Sequence, residues 1–446
     1  TQSLSSAASD VYKRQEYVMD AIFAQATASG RAGVAIIRLS GAQAYDIASK
    51  FCNIPAIGKA VLRSVRDREG KLIDRGLVLC FDQGASFTGE KTVEFHLHGG
   101  LATVSKLLRE LSECHGCRLA RPGEFTRRAL ENGNLDLNQV EALSDLIEAE
   151  TEAQRKQAMM VLDGHFSELG KFWKKDLLRA VALLEASIDF SDDEIPADLH
   201  LEVRGIVEGA ESSIASVLDR SVIASKIRQG FTVAIVGAPN VGKSTLLNSI
   251  AGKDVAITSA TAGTTRDVIE VRIDLNGLAV TFMDTAGIRD TDDDIEKLGI
   301  SMSYKRSEVA DIKVFLVNDD QDELVGTKGK SDLIVLNKAD IREVPGLAVS
   351  GKTGEGVSNL LNLISNKLLK ETPTDVVAIR ERQVEGLVAA NTFLAKAKEL
   401  LHQEPLPYEL ASQELYFACT QLDFVFGKID IESVLDEIFS SFCLGK

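Results

Sequence analysis

The residues best placed to do chemistry form the run Gly237-Ala-Pro-Asn240-Val241-Gly242-Lys243-Ser244, followed by Thr245. The apolar segment Phe231–Val236 precedes it and Leu246–Ile250 continues it. That order reads as a buried strand, a glycine-rich turn and a helix, the context that the pattern G-x-x-x-x-G-K-[ST] requires. The glycines let backbone N–H groups turn inward towards a polyphosphate, and the helix N-terminus adds a favourable dipole. Lys243 is expected to reach the β and γ phosphates, and the Ser244 hydroxyl to hold Mg²⁺.

Three more pieces follow in order, each after a strand-like run. Asp284-Thr285-Ala286-Gly287 follows Leu278–Met283. An aspartate at that position orders water on Mg²⁺, and the glycine N–H faces the γ phosphate. Asn337-Lys338-Ala339-Asp340 follows Leu333–Leu336. The Asp340 carboxylate can accept two hydrogen bonds from the N1 and N2 edge of guanine. Adenine lacks that donor pair, so buried groups would be left unpaired and the base rejected. Ser350-Gly351-Lys352 is placed to close over the base. Each piece is weak alone; together they specify a GTP-binding α/β domain with its ligand at the carboxyl ends of the strands.

The hydrolytic half departs from a common arrangement, in which a glutamine after D-x-x-G positions the attacking water. Ile288 stands there, and a hydrocarbon side chain cannot orient water. Candidates for that task are Arg289, the acidic run Asp292–Asp294 and Glu296. The loop Ser259-Ala260-Thr261-Ala262-Gly263-Thr264-Thr265 is rich in hydroxyls and carbonyls. Thr265 is expected to complete the Mg²⁺ shell. Other groups of this loop, with Asn240, can coordinate a monovalent cation that offsets charge on the bridging oxygens.

The elements that must position these groups follow from length and pattern. The chain of 446 residues suggests about three domains. Its net charge of −16 excludes a basic sheath for nucleic acid, so any RNA contact needs local basic patches. No apolar run approaches the roughly 18 residues that span a bilayer. The six cysteines are scattered and suggest no disulfide framework. A soluble protein of the cytoplasm, with no membrane partner, is expected.

Residues 1–15 are Ser/Ala-rich and are expected to be disordered or foreign to the native protein. From 16 to 134 the pattern predicts a small α+β domain. Its strands include Gly33–Leu39, Leu77–Phe81 and Thr92–His98, and its helices cover Ala42–Phe51 and the segment through Leu111. Arg38, Glu94, His96 and His98 either line a pocket or form a half-exposed sheet face, and the pattern alone favours the face. Cys114-His-Gly-Cys117 lacks a second ligand pair at zinc spacing, and two incidental thiols are the simpler reading. Residues 135–228 are helical, with stripes over Val140–Leu162, Leu169–Ile188 and Leu201–Ile227 that read as core. The GTPase domain occupies 229–375. Helical patterning resumes over 376–446, in Val384–Leu401, Leu410–Leu422 and Ile431–Phe442. Helices on both sides of one α/β domain predict a bundle with that domain inserted.

Outside the GTP motifs, several stretches are distinctive: Ala24-Gln-Ala-Thr27, Gly33–Arg38, Ser86-Phe-Thr-Gly-Glu90, His98-Gly-Gly100, Arg121-Pro-Gly-Glu-Phe125, Leu135-Asp-Leu137, Ile188-Asp-Phe190, Gly263-Thr-Thr-Arg-Asp267 and the ending Phe442-Cys-Leu-Gly-Lys446. From about Tyr17 on, the chain resembles the MnmE (TrmE) family of tRNA-modification GTPases. The resemblance implies an N-terminal domain that mediates homodimerisation and binds a tetrahydrofolate derivative, in the 5-formyl or methylene form. The family's folate contacts fall on Arg38, Glu94 and Lys446, and a usually basic one on Asn134. It also implies GTPase domains that pair across their nucleotide faces around K⁺ held by Asn240, Ser259, Thr261 and Thr264. Glu296 then orients the attacking water through a second water. The implied partner is an MnmG-like FAD protein, forming a heterotetramer. Together the two install an aminomethyl or carboxymethylaminomethyl group at C5 of the wobble uridine of certain tRNAs. Cys443 is the family's C-terminal cysteine, with either a chemical or a structural role. The alternative from a different class is a GTP-operated switch in ribosome assembly, but no KH-like G-x-x-G segment or basic tail supports it.

Overall fold

The computed structural model describes residues 20–189, 197–238, 240–252, 270–284, 310–318, 329, 332–341, 346–372, 379–427, 439, 442 and 445. Contacts divide the chain into two compact units. One comprises the residues up to Glu141 and from Phe426 on, and the other Ala142–Val425. This division differs from the sequence partition at the C-terminus, where Phe439, Phe442 and Gly445 group with the N-terminal unit instead of the helices.

In the first unit, six strands form one sheet: β1 (Ala21–Gln25), β2 (Ala32–Ser40), β3 (Val61–Arg66), β4 (Leu72–Phe81), β5 (Thr92–Gly99) and β6 (Cys117–Leu119). Their order is β3-β4-β5-β2-β1-β6. Alternation along β2 and β5 buries Ile37, Leu39, Val93, Phe95 and Leu97 against α1 (Ala44–Ser49) and α2 (Leu101–Ser112). The opposite face carries the polar residues of the alternation. Helix α3 (Glu124–Glu131) follows, and α4 (Leu137–Glu148) begins within this unit. Val140, Phe439 and Phe442 form a small apolar cluster with Leu130 and Leu135, which fastens the C-terminal residues to this unit.

The second unit contains a helical bundle and a parallel sheet. Helices α5 (Glu152–Leu162), α6 (His165–Asp189), α7 (Ala197–Asp219) and α8 (Ser221–Gln229) precede the sheet, and α11 (Glu381–Leu401) and α12 (Tyr408–Val425) follow it. Helices α6, α7, α11 and α12 pack together. Trp173, Leu177, Leu184, Leu387, Leu394 and Leu415 are buried, and the Trp173 indole N–H donates to Ser213 Oγ at 2.9 Å. The apolar stripe expected over 201–227 is two helices, broken near Arg220.

The sheet consists of β7 (Phe231–Val236), β8 (Glu270–Leu275), β9 (Leu278–Asp284), β10 (Ile312–Val317), β11 (Leu333–Asn337) and β12 (Ala348–Val349). Its order is β12-β11-β10-β7-β9-β8, parallel except for the antiparallel β8–β9 hairpin. The near-continuous apolar runs of β7, β9 and β10 follow from burial on both faces. Helices α9 (Lys243–Ala251) and α10 (Val357–Glu371) close one side of its core.

Candidate active site

The loop after β7 is shaped by backbone demands that restrict residue type. A Cβ at Gly237 would collide with the Leu316 carbonyl oxygen, so the loop passes closer to β10 than any side chain allows. Asn240 and Gly242 hold φ of 60° and 105°, the left-handed region that turns successive N–H groups towards one side. Gly242 is the N-cap of α9 and supplies no side-chain cap. No capping side chain therefore covers the first turn of α9, which leaves it suited to an anion.

Lys243 lies over this loop at 4% exposure, its Nζ donating to the carbonyls of Gly237 and Ala238, both at 2.9 Å. Burial draws its pKa below the ordinary lysine value, while the charge of Asp284 acts in the opposite sense. A polyphosphate would replace those carbonyls with full negative charge. Ser244 Oγ donates to Asp284 Oδ2 at 2.5 Å, and Asp284 is buried at the end of β9. This hydroxyl–carboxylate pair beside an anion-seeking helix terminus fits a hard divalent cation that prefers oxygen and retains water.

The base end is built from β11 and the turn after β12. Asn337 is buried, and its Nδ2 donates to the Val241 carbonyl, tying this end to the phosphate loop. Lys338 has a φ of 65°, and Asp340 is exposed. Ala339 N–H donates to Val349 O at 3.1 Å. The Ser350 hydroxyl, 2% exposed, accepts from Thr353 N–H at 3.2 Å. A Cβ at Gly351 would lie 2.7 Å from Leu246 N, so the 350–352 turn rests directly on α9. Of the predicted residues, Ser259–Thr265, Thr285–Gly287 and Glu296 lie outside the described residues, as do Cys443 and Lys446.

In the N-terminal unit, Arg38 on β2 and Glu94 on β5 face each other in register. Arg38 Nε donates to Glu94 Oε1 at 2.9 Å, and Glu94 Oε2 lies 3.1 Å from His96 Nε2. The Arg38 guanidinium sits 5.2 Å from the Phe87 ring centroid and 5.6 Å from that of Phe125. This is an oriented, half-buried charge cluster with aromatic walls. His98 does not join it; its Nδ1 and backbone N–H both meet Asp74. Asn134 Nδ2 donates to Ser86 O at 2.9 Å and to Phe87 O at 3.4 Å, fixing the loop that carries Phe87. At Gly445 a Cβ would collide with Gln25 O, so the chain near its end runs against the end of β1.

Two sequence profiles match the chain. One described as GTP-binding protein TrmE N-terminus covers 21–134, and one described as MnmE helical domain covers 137–443. A protein of a Ruegeria species named tRNA modification GTPase MnmE is 50% identical over 430 residues, which is 96% of this chain and all of that one. One of the same name from Cereibacter sphaeroides is 50% identical over 431 residues, with the same coverage. The chain belongs to the MnmE family. Its multidomain α/β and helical architecture and its GTPase class are those of that family. A likeness to Era of Aquifex aeolicus, 24% identical over 39% of this chain and 68% of that one at a TM-score of 0.23, adds nothing to this assignment.

For an MnmE-family chain, the structure adds residues that motif reading passed over. Phe87 and Phe125 frame Arg38 from outside any strand; both stood in the distinctive stretches Ser86–Glu90 and Arg121–Phe125, but nothing in the sequence assigned them that place. Asn337 ties the end of β11 to the phosphate loop through the Val241 carbonyl. Burial raises the thiol pKa of Cys117 to about 12 and also that of Cys114, which leaves both poor nucleophiles. Among the described residues, no group of three or more His, Cys, Asp or Glu side chains is placed to hold a metal ion, and no helix is long and apolar enough to cross a membrane.

Proposed function

We propose that this chain is a K⁺-stimulated GTP hydrolase of the cytoplasm whose cycle drives tRNA modification with an MnmG-like FAD protein. The product of that reading is an aminomethyl or carboxymethylaminomethyl group on C5 of the wobble uridine. The observation that carries it is the Ser244–Asp284 pair at the mouth of the phosphate loop, in a chain half identical to named tRNA modification GTPases. Lys243 and the N–H groups of 240–244 bind the β and γ phosphates, and Ser244 with Thr265 holds Mg²⁺. Asp340 reads the guanine edge, and the Ser350–Lys352 turn covers it.

With Ile288 in the usual glutamine position, Glu296 takes the task of orienting water. Potassium, held by Asn240, Ser259, Thr261 and Thr264 when two GTPase domains pair, supplies positive charge at the bridging oxygens. The left-handed conformation of Asn240, next to the α9 terminus, supports its part in that site. The N-terminal unit takes the tetrahydrofolate derivative on Arg38, Glu94 and Lys446 and forms the homodimer. Asn134 serves there through the Phe87 loop, not through charge.

GTP turnover is compared in KCl and NaCl, and wobble nucleosides are analysed in cells lacking the protein. Faster turnover in KCl and loss of the modified uridine are expected. Equal rates would remove the potassium assignment, and unchanged uridines would favour a GTP-operated switch without RNA-modifying activity.

A further inference from the structure

The hairpin of β8 and β9 links the two parts of the site that must respond to nucleotide. Strand β8 begins directly after the segment that carries Thr265, and β9 ends at Asp284. The two strands turn through Asn276 and Gly277, whose φ values of 55° and 87° are those of a tight two-residue hairpin. Its tip lies roughly 20 Å from Asp284, at about 3.3 Å per residue along β9.

That tip is held from two sides. Asn276 Nδ2 donates to Ser365 Oγ on α10 at 2.7 Å, and Ser365 is fully buried. On the other side Gly277 O accepts the Ala153 N–H at 3.1 Å. Ala153 lies in the first turn of α5, so a helix-terminal N–H with no partner inside its own helix is committed to the hairpin. Glu150, just before that helix, reaches Arg272 on β8 at 2.5 Å.

The start of α5 is itself set by one side chain. Gln154 Oε1 accepts from the N–H groups of Glu150 at 2.9 Å and Thr151 at 3.1 Å, while its Nε2 donates to Arg228 O at 3.0 Å. Arg228 is on α8, which leads through Gly230 into β7 and the phosphate loop. Gln154 is 7% and Thr151 5% exposed, so removing the Gln154 amide leaves the buried Thr151 N–H unpaired. A polar cleft of about 530 Å³, lined by Asp145, Glu148, Glu150, Gln154, Arg228 and Arg272, borders the same junction. Directed bonds at this junction add to the apolar packing of Ala153, Ala224 and Ile227 on the sheet core, so they set the orientation of α5 beyond what packing alone fixes.

We propose that Gln154 is a positioning residue for GTP hydrolysis. It fixes the first turn of α5 between the strand that enters the phosphate loop and the tip of the β8–β9 hairpin. The bundle, through α5, thereby sets where the β8–β9 hairpin and Asp284 at its end stand. The inference rests on the GTPase activity of the family and not on the potassium or folate readings.

The test uses the full chain and measures kcat and KM for GTP, affinity for a fluorescent GTP analogue, and melting temperature. Gln154→Ala should lower kcat by about five- to tenfold while analogue affinity stays within about twofold. A purely structural role would lower the melting temperature and the fraction of binding-competent protein, but leave kcat per bound site unchanged. That result overturns the proposal. The second arm is charge reversal across the junction. Glu150→Arg and Arg272→Glu should each lower kcat, and the double variant should recover most of it. Additive losses overturn the proposal even where Gln154→Ala does not fold. Wild-type turnover in the same assay separates failure of this inference from absence of activity.

Discussion

The GTPase sheet and the N-terminal sheet each have six strands, but they position chemistry in different ways. In the GTPase sheet the candidate site is built first from main chain. The demands fall on backbone conformation: a left-handed Asn240 and Gly242, a Gly237 pressed against β10, a Gly351 pressed against α9. In the N-terminal sheet the cluster is made of side chains from different elements. Arg38 and Glu94 are 56 residues apart in sequence, and their meeting depends on the β2–β5 register. Recognition by backbone tolerates little exchange of residue type, whereas a cross-strand cluster depends on each side chain and on its support.

This contrast is open to attack at both ends. The largest effect is expected at Lys243. Lys243→Ala removes a buried charge that the proposed reading assigns to the phosphates, and affinity for a GTP analogue should fall by a factor on the order of one hundred, read by fluorescence titration. Retained affinity would mean that the backbone nest alone suffices. Next, Glu94→Gln breaks the Arg38–Glu94–His96 chain at its centre. Calorimetry with 5-formyltetrahydrofolate should show binding weakened about tenfold, with GTP turnover unchanged.

Asn134→Lys restores a basic residue but gives up two bonds to the Phe87 loop. A loss of about 1 kcal/mol in urea unfolding of the N-terminal unit is expected. The smallest and most conditional effect concerns acid. Lys106 and Arg68 hold the Glu110 carboxyl down at about 2, from an ordinary value of 4.5. Its contribution is therefore complete above pH 4.5 and is lost as pH falls through about 2. The gap in melting temperature between wild type and Glu110→Gln should persist at neutral pH and vanish near that lower limit.

The same contrast explains how much could be read from sequence. The strand–loop–helix around Gly237–Ser244 and the strand ends carrying Asp284 and Asn337 were legible because such loops fix glycines and polar residues at constant spacing. Strand β10 carries no ligand group and, although Ile312–Val317 is apolar, nothing in the motif logic required it. The break between α7 and α8 was hidden because the apolar stripe continues across Arg220. Arg38 and Glu94 were found through resemblance and not through pattern. Pattern alone favoured an exposed face, since two-residue alternation says which side a residue occupies but not what stands above it. Phe87 and Phe125 stand there, on a loop and a helix whose return to the sheet no local rule predicts.

The bond from Asn337 to the Val241 carbonyl has a consequence for how nucleotides are told apart. The strand end that would meet the purine in the proposed reading is bonded to the loop that would meet its phosphates. A wrong base therefore does not merely forfeit its own contacts. With the base site as proposed, failure to seat at one end would leave the other misaligned, so adenine would be disfavoured at both ends of one molecule.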